Sequence, residues 1–139
     1  MFEIYFLCHI ILAIILGAIL GWQRTHLGKS AGLRTYALVT GGATLFTILS
    51  IHAFGTTIAP VAAAIVTGIG FLGAGTILHR ENRVEGLTTA AGLWMAAAIG
   101  MAVGVGYYIL GIGTTIIAFV LLMIDDSGFK HLAKPEEKA

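Results

Sequence analysis

Long apolar stretches alternate with short polar ones along this 139-residue chain, and the apolar stretches lack the period-two or period-3.6 polar positions of a soluble surface. A helix needs about 20 mostly apolar residues to cross a hydrocarbon core of about 30 Å. Five windows approach that length: 2–21, 36–54, 58–79, 88–104 and 106–124. The pattern predicts an all-α membrane protein, a bundle of about five transmembrane helices over residues 1–124, followed by a short polar tail over 125–139. The last two windows divide one apolar run, Thr88 to Ile124, at Gly104-Val105-Gly106, where Tyr107-Tyr108 suit a headgroup interface. As a helix, residues 88–104 reach about 25 Å, so this segment either crosses or re-enters.

Charge turns the pattern into a topology. All eight Lys and Arg residues fall in three clusters, at 24–34, 80–83 and 130–138. Membrane proteins keep Lys and Arg in cytoplasmic loops, so the clusters belong on one side. An odd number of spans then places the N-terminus outside and the C-terminus in the cytoplasm. Met1-Phe2-Glu3 lacks the basic region of a secretory signal, so the first window reads as an uncleaved helix. With 58% hydrophobic and 11% charged residues the chain cannot cover a soluble globule. Nucleic acid is not implied as a partner. The single cysteine, Cys8, excludes an intrachain disulfide and a multi-cysteine metal cluster, and reads as a small apolar side chain in the first span.

Small residues set the expected helix contacts. Gly17 and Gly21 near the end of the first span, and Gly100 and Gly104 in the fourth, form small-xxx-small pairs that suit close helix approach and a homodimer or homo-oligomer. The third span carries Gly68-Ile69-Gly70-Phe71-Leu72-Gly73-Ala74-Gly75. Its GxGxxG spelling is that of a dinucleotide loop, but it lies within an apolar span rather than between a strand and a soluble helix, and the match is spurious. Each glycine costs a helix about 1 kcal/mol relative to alanine. Gly68, Gly70, Gly73 and Gly75 therefore imply either close packing at the bundle centre or a non-helical stretch lining a cavity. The fourth span, rich in Ala and Gly, is expected to be the most enclosed. Thr40, Thr44 and Thr47 share one face of the second span, where hydroxyls either bond back to the helix's own carbonyls or line a polar path. His9 and His52 fall in the outer halves of their spans as packing or interfacial residues, with proton sensing as the other reading.

Candidate chemistry is concentrated on the basic face. The loop Gln23 to Arg34 holds Arg24, His26, Lys29 and Arg34 without an acid. It is either a solvated topology loop or one that meets anionic lipid headgroups or an acidic partner. The loop His79 to Gly86 alternates Arg80, Glu81, Arg83 and Glu85, neutralises itself and is expected to be ordered. Gly32-Leu33-Arg34-Thr35 and Gly86-Leu87-Thr88-Thr89 repeat one phrase at two helix starts, and Gly21 falls on Gly75 at the same offset, which hints at a parallel two-span repeat. Threonine caps and two helix dipoles beside arginines favour anions. The candidate anion or partner contacts are Arg24, Lys29, Arg34, Thr35, Arg80, Arg83, Thr88 and Thr89. No Asp or Glu lies within the apolar windows beyond Glu3, which weighs against a Mg²⁺ site of the usual carboxylate kind, although carbonyls freed by the glycine run keep ion conduction open. No nucleophile is paired with a base, so an enzyme is not expected, and neither a metal nor another cofactor is called for.

The ordered set Gly17-x-x-x-Gly21-Trp22-Gln23-Arg24, Gly32-Leu33-Arg34-Thr35, Gly68 to Gly75 and Gly86-Leu87-Thr88-Thr89-Ala90-Ala91-Gly92-Leu93-Trp94 resembles the MgtC/SapB family of bacterial inner-membrane proteins, over about residues 10–124. The resemblance implies a multi-pass protein of the inner (plasma) membrane, linked to growth under Mg²⁺ limitation and, in pathogens, to virulence through survival in macrophages. It also implies action on other membrane proteins, including the F-type ATP synthase and sensor kinases. Many relatives carry an acid where Gln23 stands, so any Glu–Arg pair at that point is in doubt here. Longer members append a soluble cytoplasmic domain, and no function of that domain is carried over. The expectation is a regulatory protein acting by interaction, with a transporter or channel for Mg²⁺ or another ion as the alternative.

Overall fold

The computed structural model describes residues 2–54, 58–80 and 83–124. Five helices carry the fold: α1 (Phe2–His26), α2 (Leu33–His52), α3 (Ile58–Ala74), α4 (Leu87–Val105) and α5 (Tyr108–Met123). Two short strands, β1 (Leu78–Arg80) and β2 (Arg83–Glu85), join α3 to α4 as an antiparallel hairpin that pairs Leu78 with Glu85 and Arg80 with Arg83. On either side of residues 81–82, which lie outside the described residues, the second basic loop is thus paired as strands. The predicted tail, 125–139, lies outside the described residues.

Helices α1, α2 and α4 are long and apolar enough to cross a membrane, while α3 and α5 are shorter apolar helices. The all-α membrane fold read from the hydropathy windows is therefore the fold observed. α1 runs past the apolar window and carries Arg24 and His26 in its last turn. The break between the last two helices falls where the glycines placed it. Gly106 takes the left-handed conformation, φ 94°, and the Tyr107 N–H returns to the Ala102 carbonyl at 2.8 Å, a glycine-dependent helix stop.

Glycine decides which helices touch. Gly17 of α1 faces α2 so closely that a Cβ there would lie 2.6 Å from the Tyr36 carbonyl, and one at Gly21 would lie 2.6 Å from the Leu33 Cα. On α4, a Cβ at Gly100 would meet the Ala43 methyl at 2.9 Å, and one at Gly104 would meet the Thr47 Cβ at 2.7 Å. Both small-xxx-small pairs, expected to serve self-association, are thus engaged within the chain against α2. Half of the membrane window of α2 and of α4 is buried, against a third in α1, so α4 shares with α2 the enclosure expected of it alone. Thr40, Thr44 and Thr47 bond back to carbonyls of α2, and Thr44 also donates to the Gly100 carbonyl of α4 at 2.7 Å. The threonine face is a helix seam rather than a polar path.

α3 is different. Its buried residues are Ile69 and Gly73. A Cβ at Gly68 or Gly70 would meet nothing within 4 Å, whereas one at Gly73 would touch Ala90 at 3.5 Å. The expectation that the whole glycine run packs closely at the bundle centre is corrected at two positions: Gly68 and Gly70 lie in a continuous helix and are exposed, because α3 leans on α4 by one edge and leaves α2 standing off. Gly75 follows the end of α3, in a turn where the Thr76 N–H bonds to the Gly73 carbonyl at 3.0 Å.

Candidate functional site

The end of the bundle where α1 finishes and α2 and α4 begin gathers most of the residues singled out from the sequence. Each G-L-x-T phrase starts a helix, with Gly32 and Gly86 as the N-caps of α2 and α4. The two starts differ in detail. Gly32 is extended, whereas Gly86 is left-handed at φ 92° and a Cβ there would collide with the Thr76 carbonyl, so the position excludes a side chain. Neither phrase caps its own helix through a side chain. Instead Thr25, at the end of α1, accepts the Leu33 N–H at 2.8 Å and donates to the Gly21 carbonyl at 3.0 Å. One hydroxyl therefore ties the end of α1 to the start of α2, a role the sequence reading missed. Its signal was a threonine between two basic residues at the end of an apolar helix.

Arg24 is not on the exposed face where it was expected. It is 4% exposed, and its Nη2 donates to Thr89 Oγ1 at 3.0 Å, across from α1 to the first turn of α4. Tyr36 is fully buried and lies over Gly92 of α4, where a Cβ would come within 3.2 Å of its Cζ. Arg24, Tyr36, Thr89 and Gly92 thus lock three helices together. Among the described residues, Arg24 Nε, the Tyr36 hydroxyl and Gln23 Oε1 are buried without a hydrogen-bond partner. Gln23 donates through Nε2 to the Leu122 carbonyl at 2.9 Å and so holds α5 rather than Arg24.

The other predicted contacts divide cleanly. Lys29, Arg34, Thr35 and Thr88 are exposed at this end, while Thr89 is buried with Arg24. Arg80 and Arg83 sit opposite each other in the hairpin, but their side chains lie outside the described residues. Between α2 and α3 opens an apolar groove of about 690 Å³, with Arg34 and Thr35 at one end, Phe46 and Val61 at the other, and Gly42 and Gly68 in its walls. No sequence signal had separated this groove from an ordinary helix contact.

A second polar cluster occupies the opposite end. His9, 5% exposed, donates from Nδ1 to the Tyr5 carbonyl at 2.8 Å, since a carbonyl only accepts. In the neutral ring that leaves Nε2 to accept from the Tyr108 hydroxyl, whose oxygen accepts from Tyr5 at 2.9 Å. His9 is a packing histidine joining α1 to α5. His52 is exposed, its ring centroid 4.6 Å from that of Phe6.

Fold and site together define a helical membrane protein, with a core closed by glycine against backbone and an arginine buried at its basic end. The chain belongs to the MgtC family, whose profile matches residues 10–127. It is 41% identical over 128 residues to "Putative magnesium transporter YhiD" of Escherichia coli K12, an alignment covering 86% of this chain and 60% of that one. It is 39% identical over 140 residues to "Protein SrpB" of Synechococcus elongatus, covering 90% and 75%. To "Protein MgtC" of Salmonella typhimurium it is 42% identical over 112 residues, covering 81% and 48%. The chain thus spans 60% of the length of the first of these relatives and about half that of the last. No solved structure matches it.

Proposed function

We propose that this protein is a multi-pass regulator of the bacterial inner membrane that binds other membrane proteins under magnesium limitation, with its basic end in the cytoplasm. One observation carries the reading: α1, α2 and α4 are closed on one another by Gly17, Gly21, Gly92, Gly100 and Gly104, each of which has backbone or a buried side chain where a Cβ would be. A core so filled, with its threonine hydroxyls engaged by carbonyls, gives an ion no solvated route between these helices. Among the described residues, those exposed to act outward include Lys29, Arg34, Thr35 and Thr88 at the basic end, beside the open flank of α3. Cationic side chains there suit an acidic segment of a partner, and the F-type ATP synthase and sensor kinases are the candidates that family resemblance supplies.

A second reading, magnesium transport, draws on the name of the Escherichia coli relative. Purified protein reconstituted into vesicles separates the two. The regulatory reading expects no Mg²⁺ flux above empty vesicles, together with co-purification of a membrane partner that falls at least tenfold in Arg34→Ala. Mg²⁺ flux that is abolished by Gly73→Leu would overturn it and establish the transport reading.

A further inference from the structure

The groove between α2 and α3 is built on two walls of unlike chemistry at its two ends. Along α2 it is lined by Arg34, Thr35, Leu38, Gly42 and Phe46, which recur at helical spacing on one face, and along α3 by residues that include Gly68 and Leu72. From position 34 to 46 a helix rises about 18 Å, close to one leaflet of a hydrocarbon core about 30 Å thick. Its length is thus that of an acyl chain. The walls are apolar except at the basic end, where Arg34 and Thr35 stand in the first turn of α2 and are exposed. Thr25 takes the Leu33 N–H, but the N–H groups of Arg34 and Thr35 follow it at the helix start, where no carbonyl of the same helix can reach them. A guanidinium, a hydroxyl and a helix N-terminus together favour a phosphate.

The glycines of the walls supply the independent observation. A Cβ at Gly42 or at Gly68 would meet nothing within 4 Å, so neither glycine is required by a neighbouring helix. Both are helical, where glycine costs about 1 kcal/mol relative to alanine. What they provide is room. We propose that this groove is a binding site for an anionic phospholipid of the surrounding bilayer, with one acyl chain lying between α2 and α3 over Gly42 and Gly68 and the phosphate held by Arg34. A partner's acidic segment would compete with the lipid phosphate for Arg34, whereas Gly68→Leu removes the lipid alone, so the site is tested apart from the partner reading. An occupant whose head is anionic and whose body is apolar matches the charge at one end and the lining of the rest, which an apolar helix of a second copy would not.

The test is native mass spectrometry of the full chain in detergent with added phosphatidylglycerol or phosphatidylcholine of equal chain length. Phosphatidylglycerol should be retained at least tenfold better than phosphatidylcholine. Arg34→Gln should lose that preference and Arg34→Lys should keep it, which separates charge from folding. Gly68→Leu should lose at least nine-tenths of bound lipid with unchanged helix content, because its side chain enters open space, whereas Gly70→Leu, equally open but outside the groove, should retain it. Equal retention of the two lipids by the wild type, or undiminished phosphatidylglycerol in both Arg34→Gln and Gly68→Leu, would overturn the proposal. A photo-crosslinker in place of Phe46 that captures a second copy or another protein in native membranes, rather than lipid, would overturn it too.

Discussion

The three-helix core and the flank formed by α3 use the same residue for opposite ends. In α1 and α4, Gly17, Gly21, Gly92, Gly100 and Gly104 let backbones and buried side chains approach where no Cβ would fit. In α3, Gly68 and Gly70 have nothing to approach. Helix association in lipid rests on van der Waals packing between small residues rather than on exclusion of water. A glycine-rich helix without such contacts is therefore held by few interactions, and α3 buries two residues where α4 buries nine. Closeness stabilises the core, and its absence leaves a space with a cation at its mouth. Spacing alone does not say which of the two a glycine pair provides.

The comparison can be broken at either side. Replacing Gly100 by Leu drives a side chain into the Thr40 backbone and the Ala43 methyl, and should destabilise the fold by about 3 kcal/mol or more, seen as loss of a monodisperse species in detergent. Thr89→Val removes the hydrogen bond to buried Arg24 and leaves a charged donor without a partner, at a cost of about 2 kcal/mol. Adding Arg24→Met should recover most of that loss in thermal melts, because an apolar side chain of similar length needs no partner. Thr44→Val deletes one interhelical hydrogen bond and should cost about 0.6 kcal/mol, the usual scale for such bonds in membranes. Gly70→Ala should be neutral or stabilising by up to about 1 kcal/mol, since it gains helix propensity and meets nothing.

Much of the fold was legible because the bilayer imposes length and polarity on every crossing segment. The Gly106 stop and both G-L-x-T helix starts were visible because turns require particular backbone conformations. The backward hydrogen bonds of Thr40, Thr44 and Thr47 followed from helical geometry alone. What stayed hidden depended on which helices are neighbours. Arg24 looked like its companions Lys29 and Arg34, yet it lies in the last turn of α1 and donates to Thr89 of α4, so it is buried while they are exposed. Tyr36 carried no local sign that Gly92, far along the chain, leaves a hollow for it. The open groove was least legible of all, since a glycine facing space and a glycine facing a helix are spelled alike.

The central claim is that glycine closes α1, α2 and α4 and leaves α3 open, and paired thermal melts of Gly100→Leu and Gly68→Leu in one detergent test it most directly. Gly100→Leu should melt about 10 °C or more below the wild type, or fail to fold, while Gly68→Leu should stay within about 3 °C of it. Two variants that fall together, or a Gly100→Leu protein as stable as the wild type, would contradict it.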